Sequence, residues 1–324
     1  MIFEERQEIV DAATLGAAEA RLKGVAHRTP MFRSRILDEA VGGKVWVKAE
    51  SMQRAGSFKF RGAYNAVAAR LNEARARGVV TGSSGNHGGA LALAAKLLGV
   101  RALIVMPIDA AAVKVEAVKS YGAEVVQIGR TSVERLTYAA ERAAKDGMVE
   151  IPPSDHPDII AGQATCGSEM IAECRPDVMV VPTGGGGLFA GVCLAAHHAA
   201  YGAKVYGVET ETGNDTWLSM QARKRVRIGL PDTMADGIRT VEPGALTFAI
   251  NLEHSGGVVL VTDQEIRETV KFLFARMKLV AEPTGAVALA AVLFRKLPAE
   301  GRTIAAVLSG GNVDPALYAQ LITT

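Results

Sequence analysis

The sequence predicts an α/β protein of two domains, each an open, mostly parallel twisted sheet flanked by helices. Three observations lead there. Short apolar runs alternate with helical periodicity through most of the chain, the order that lays parallel strands under helices. Glycine is frequent, at 34 of 324 residues, and recurs where strands turn into helices, as at Gly82 and Gly184. The stretch Ile151-Pro-Pro-Ser-Asp-His-Pro157 places three prolines in seven residues between two regions of the same grammar, which reads as the return from a smaller inserted domain to a larger one. The expected division is 1–52 plus 153–324 for the larger domain and 53–152 for the smaller.

In order, residues 3–23 carry helical periodicity and stop at Gly24. Arg28-Thr-Pro30 breaks the pattern. Lys44 to Lys48 alternates as a strand and leads into Ser51 to Asn65, whose helix is expected to continue to about Arg77, before Gly78. Strand and helix then alternate: 79–81 and 88–98, 102–106 and 111–120, 124–128 and 132–145. After the prolines come a strand at 177–181, four glycines, a helix to about Ala200 and a strand at 204–209. Residues 211–257 are less regular and read as loops with one helix near 245–253. A strand at 258–261, helices at 263–278 and 284–296 and a strand at 303–308 complete the pattern.

Composition narrows the function. The formal net charge is +2 without a long basic run, which gives no footprint for nucleic acid or an anionic membrane. The apolar run from Ala286 to Phe294 falls well short of the roughly 20 residues that span a bilayer. Cys166, Cys174 and Cys193 lack metal or redox spacing and read as reduced thiols. With no secretory signal at the N-terminus, the expected location is cytoplasmic.

Four loops fall at the carboxyl ends of strands, where open parallel sheets place ligands. Gly82-Ser-Ser-Gly-Asn-His-Gly88 exposes backbone N–H groups, with Ser83, Ser84 and Asn86 as added donors for an anion; an ordinary capped turn is the other reading. Gly184 to Gly187 suits close approach to a phosphate, yet with Ala190 and Glu209 it also satisfies a dinucleotide fingerprint. Glu209-Thr-Glu-Thr-Gly-Asn-Asp215 carries three acids in seven residues, fit for a hard cation or for solvent. Leu308-Ser-Gly-Gly-Asn312 presents a hydroxyl at a turn. Ahead of all four stands Lys59, at the first turn of its helix. Ser57 is expected to cap that turn, and the helix N-terminus with Arg61 nearby to disfavour the ammonium form. A solvated surface lysine is the bland alternative.

Taken together, these segments resemble the fold type II pyridoxal-phosphate enzymes, in the group of threonine and serine dehydratases and serine racemases, across nearly the whole chain. Gly56-Ser-Phe-Lys-Phe-Arg-Gly62 is similar to the Schiff-base lysine motif, Ser83 to Gly88 to the substrate-carboxylate loop, Gly184 to Gly187 to the phosphate cradle, and Leu308 to Asn312 to the loop facing the pyridine nitrogen. The resemblance implies a tryptophan-synthase-β-like fold with Lys59 holding pyridoxal 5'-phosphate. Phe58, Asn86, Gly184, Gly185, Gly186, Gly187, Leu188, Glu282, Ser309 and Gly310 would complete the cofactor site. Ser83, Ser84, Gly85, Asn86 and His87 would face the substrate. Glu209, the Gly213 carbonyl and Asp215 fall at the spacing of the group's divalent-metal site, for Mg or Ca, which removes Glu209 from the dinucleotide reading.

By the same resemblance, Lys59 is the base at Cα and Ser84 the group on the opposite face. A serine at the ring nitrogen suits loss of a β-hydroxyl. The implied activity is an ammonia-lyase acting on a small hydroxy amino acid of the threonine or serine type, in a homodimer. Within the family the alternatives are a serine or aspartate racemase and a dehydratase for 3-hydroxyaspartate or a hydroxyectoine-derived amino acid. Outside it stand a nicotinamide-dependent oxidoreductase and a non-enzymatic ligand-binding protein. The chain ends soon after Asp314, so allosteric feedback through a C-terminal regulatory domain is not expected.

Overall fold

The computed structural model describes residues 10–83, 85–110, 112–130 and 132–323. They form two sheets. The larger runs β1 (Met31–Arg33), β2 (Lys44–Ala49), β10 (Thr303–Leu308), β7 (Val178–Pro182), β8 (Lys204–Thr210) and β9 (Val258–Val261) in spatial order, and the smaller runs β5 (Glu124–Gln127), β4 (Ala102–Met106), β3 (Val79–Gly82) and β6 (Val149–Glu150). Every pairing is parallel except β1 with β2. The helices are α1 (Ala12–Leu22), α2 (Arg35–Val41), α3 (Lys59–Ala69), α4 (Leu71–Arg77), α5 (Asn86–Leu98), α6 (Ala112–Ser120), α7 (Ser132–Asp146), α8 (Pro157–Cys174), α9 (Gly187–Ala199), α10 (Asp215–Ala222), α11 (Ala245–His254), α12 (Asp263–Phe272), α13 (Pro283–Leu293) and α14 (Pro315–Thr323).

Apolar residues on successive strand positions go to opposite faces, as a fully buried parallel sheet requires. Val178, Val180, Ile304 and Ala306 pack under α12 and α13, whereas Met179, Val181, Ala305 and Val307 pack under α8 and α9. In the smaller sheet Ile104 and Met106 face α5, and Leu103 and Val105 face α7.

Several sequence expectations change. The N-terminal helix begins at Ala12, where the Asp11 carboxylate accepts from Thr14 N at 2.7 Å; the expected start at residue 3 lies outside the described residues. The helix expected to run from Lys59 to Arg77 is interrupted at Arg70, whose ψ of 33° leaves the helical well. Helix α8, with 18 residues, was hidden because Pro157 reads as a breaker, although proline is well tolerated at a first helical position. Strand β1 and helices α2, α10 and α14 are likewise additions to the sequence reading. The helix expected over 263–278 ends at Phe272 and continues as one π turn to Met277.

Candidate active site

All the parallel strands of a sheet end on one edge, and the loops after β3 and β10 are joined there through Asn86 and Asn312. An isolated backbone bridge from Ser57 to Gly310 ties the Lys59 turn to the loop after β10. Phe58 N donates to the Ser309 carbonyl at 3.1 Å across the same junction.

Lys59 is the first residue of α3, and its Nζ donates to the Pro153 carbonyl at 2.7 Å. The Phe58 ring centroid lies 5.2 Å from that nitrogen. Burial pulls the amine pKa down from 10.5 to about 8. This corrects the expected cause. Arg61 has its charge matched by Glu50 and Glu169 at 2.7 and 2.8 Å, and desolvation alone moves Lys59. Ser57 is corrected too: no side chain caps α3, and the Ser57 hydroxyl is buried without a hydrogen-bond partner.

Asn86 opens α5. Its Nδ2 donates to Glu282 Oε1 at 2.6 Å, and its Oδ1 accepts from Asn312 Nδ2 at 2.8 Å, so three separate loops are held at one amide. Asn312 also donates to the Ala55 carbonyl at 2.7 Å. Ser309 is buried, and its hydroxyl lies 3.4 Å from the Thr284 carbonyl. The Ser83 hydroxyl accepts from Gly85 N at 3.4 Å. Ser84 lies outside the described residues. The His87 ring turns into the protein, 2.9 Å from the Ile151 carbonyl. Burial, helped by the charge of Lys59, pushes its pKa down to about 3 and keeps it neutral.

The glycine loop after β7 enters α9 through Gly186, whose φ of 83° is a left-handed conformation. A Cβ on Gly185 would lie 2.2 Å from the Ser154 hydroxyl, so the proline-rich segment packs directly on this loop. Thr247 Oγ1 donates to the Gly185 carbonyl at 2.8 Å, while Asp155 accepts from the N–H groups of Ala245, Leu246 and Thr247 at 2.9 to 3.0 Å. Leu188 is buried in the first turn of α9. A backbone loop at a helix N-terminus is a ready cradle for phosphate, and the half-buried lysine is a poised amine. Those features fit pyridoxal phosphate.

Away from this junction, Glu209 at the end of β8 accepts from Thr216 N at 3.0 Å and Trp217 N at 2.7 Å. Asp215 Oδ1 accepts from Thr240 Oγ1 at 3.0 Å, and its Oδ2 is buried with no hydrogen-bond partner. Burial, then the neighbouring Asp215 carboxylate, holds Glu209 well above the usual carboxylate range, and burial also raises Asp215. The orphaned oxygen fits a cation or a shared proton. Among the described residues no group of three or more His, Cys, Asp or Glu side chains is arranged to hold a metal.

Sequence reasoning missed Pro153, Ser154, Thr284 and Asn312. Ser154 and Pro153 sit in the stretch read only as a domain break, and Asn312 was visible in its motif without an assigned partner.

Comparison with known proteins places this geometry. Residues 22–310 match the family model described as "Pyridoxal-phosphate dependent enzyme". The chain is 43% identical to the L-threo-3-hydroxyaspartate ammonia-lyase of Saccharomyces cerevisiae, covering 100% of this chain and 98% of that one. It is also 43% identical to the serine racemase of Schizosaccharomyces pombe, covering 95% and 96%. Among solved structures, the threonine deaminase of T.th. superposes with a TM-score of 0.88 at 41% identity, over 94% of this chain and 99% of that one. With a family match over residues 22–310 and a 43% identical relative aligned over its whole length, the chain belongs to the pyridoxal-phosphate dependent enzymes.

Proposed function

We propose that the protein is an ammonia-lyase that eliminates water from a small 3-hydroxy amino acid, after which the enamine product takes up water and releases ammonia, leaving an α-keto acid. The observation that carries this is the placement of Lys59. Its amine is half-buried, partly deprotonated near neutrality, and donates to the carbonyl of Pro153, whose neighbour Ser154 packs on Gly185, while the adjacent Phe58 N donates to the Ser309 carbonyl. The cofactor, when bound, withdraws electrons from Cα and weakens its bonds. Lys59 would hold it and take the Cα proton; Gly184 to Gly187 and Leu188 would hold the phosphate, Phe58 would pack beside the ring, and Ser309 with Gly310 would face its nitrogen. Asn86, fixed by Asn312 and Glu282, orients it. Ser83, Ser84, Gly85 and the backbone N–H of His87 form the substrate side, with the loop amides clamping the carboxylate so that the Cα proton faces Lys59, while the His87 ring packs inward.

L-threo-3-hydroxyaspartate is the substrate to test first, since the Saccharomyces cerevisiae relative named for it aligns over the whole chain. Serine and threonine follow. Racemisation is the second reading, supported by the equal identity to the Schizosaccharomyces pombe serine racemase. Following keto-acid release and optical inversion separately on these amino acids tests both readings. Inversion without keto acid would overturn the lyase. Lys59→Ala is expected to abolish turnover and the absorbance of the lysine-bound cofactor, and retention of either would remove Lys59 from its role.

The same reading assigns Glu209, Gly213 and Asp215 to a divalent cation, Mg or Ca, supported by the unpaired Asp215 oxygen. The division into 1–52 plus 153–324 and 53–152 is supported by sheet membership. A homodimer is supported by exposed apolar side chains at Phe274, Val280 and Leu317, around Tyr318, and light scattering tests it. The cytoplasm is the proposed location. Among the described residues no helix is long and apolar enough to cross a membrane.

A further inference from the structure

The first turn of α3 is fixed from below by charges that the reaction does not use. Arg61 donates through Nε and Nη2 to Glu50 at 2.8 and 2.7 Å and through Nη1 and Nη2 to Glu169, both at 2.8 Å. Lys48 Nζ donates to Glu169 at 2.5 Å and to the Thr29 carbonyl at 2.7 Å. The Thr29 hydroxyl closes the set on Glu50 at 2.5 Å. Lys48, Glu50 and Arg61 are 1, 0 and 0% exposed, and Glu169 is 17% exposed. One turn on, α3 meets α8 so closely that a Cβ on Gly162 would lie 2.6 Å from Gly62 Cα.

The residues come from three segments. Lys48 lies at the end of β2 and Glu50 in the 3-10 turn that follows it, Arg61 on α3 and Glu169 on α8. A lone buried charge is severely disfavoured, whereas two cations and two anions with good geometry are tolerated. Sequence reasoning placed Arg61 against the Lys59 amine; the structure instead turns it away into this balanced set.

We propose that Lys48, Glu50, Arg61 and Glu169 are positioning residues for Lys59: they clamp the first turn of α3 onto β2 and α8, and their zero net charge leaves the amine free of an added field. Burial is the one cause of the Lys59 shift, and no charged neighbour contributes to it. Other ionisable groups facing α3 or its charge set are Cys166 on α8, whose thiol pKa burial raises far above its usual range, keeping it neutral, His87 on α5, which is neutral, and Arg21 on α1, which donates to Asn65 at 3.1 Å further along the helix. The purpose of the arrangement rests on Lys59 being the cofactor lysine, but the amine can be read by itself.

The test is the pH midpoint of Lys59 acylation, followed by mass spectrometry on the full chain after cofactor removal. Lys48→Met leaves the set at a net charge of −1, so the midpoint should rise. Glu169→Gln leaves +1, so it should fall. Each shift is expected to be on the order of half a pH unit. The double variant is neutral again and should return to the wild-type midpoint, a restoration that simple loss of packing does not produce. Shifts of the same sign, no shift in either soluble single variant, or a double variant that stays displaced would overturn the proposal. If the shifts appear as expected but the wild-type chain does not take up pyridoxal phosphate on Lys59, the positioning holds and the cofactor reading fails.

Discussion

Two groups of buried acids in this protein are handled in opposite ways. Around Arg61, two carboxylates meet two cations, and although burial pushes Glu50 up, Arg61 and Lys48 outweigh it and hold its pKa below the usual 4.5. At the end of β8, Glu209 and Asp215 are buried together with only hydroxyl and backbone donors, and both pKa values rise. The first cluster has its charges matched by residues of the chain itself and ties the helix that carries Lys59 to β2 and α8. The second is left short of positive charge, so it takes up a proton or a cation. A buried charge that is already matched is structural, and one that is unmatched is open to a ligand.

Arg61→Met is the largest perturbation, because Glu50 is then left in the interior with neither of its guanidinium bonds. A loss of about 3 to 5 kcal/mol is expected, read as a lowered urea midpoint with an unchanged slope. A loss under about 1 kcal/mol would show that water reaches Glu50 readily and that the first cluster is not closed.

Next in size is Asp215→Asn, for which the opposite sign is expected. Removing one of two like charges should stabilise the cation-free protein by about 1 kcal/mol or more. Saturating Mg or Ca should raise the melting temperature of the wild type and leave the variant unmoved. Equal responses would remove Asp215 from the cation site.

The pH profiles should diverge as well. Glu50 has a folded pKa below 4.5, so its contribution is present above that pH and is lost as pH falls through the folded value. Glu209 has a folded pKa raised above 4.5, so without a cation its contribution is present below that pH and is lost as pH rises. Asp215→Asn should flatten the second slope and leave the first. If it flattens neither, the two acids are not coupled.

The contrast also marks what could be read from the sequence. The parallel architecture, the Lys59 turn and the loops at 83–88, 184–187 and 309–312 were legible because glycine, serine and asparagine at strand ends have strong local geometry. Lys48, Glu50 and Glu169 were not, since their partners lie up to 121 positions apart and no periodicity links them. Arg61 was misassigned for the same reason: the sequence gives its distance along the helix from Lys59 but not the acids after β2 and on α8 that turn it away. Helix α8 was lost to Pro157, and with it the element that carries Glu169. Glu209 and Asp215 share one short loop, so the acid pair was visible, yet the unpaired Asp215 oxygen is a three-dimensional fact.

The smallest expected effect is the most discriminating, because it removes one hydroxyl from each cluster. Thr29→Val deletes the Glu50 hydrogen bond but leaves that carboxylate with two bonds from Arg61. Thr240→Val deletes the one side-chain donor assigned to Asp215 among the described residues. Each hydrogen bond to a charged group contributes about 1.5 to 3 kcal/mol, and less where other donors remain. Thr29→Val should therefore cost under about 1 kcal/mol, independently of divalent cation. Thr240→Val should weaken the cation-induced rise in melting temperature, because Asp215 is then free to rotate out of the site. Should Thr29→Val prove the more costly at every cation concentration, hydroxyl bonding rather than charge balance separates the two clusters.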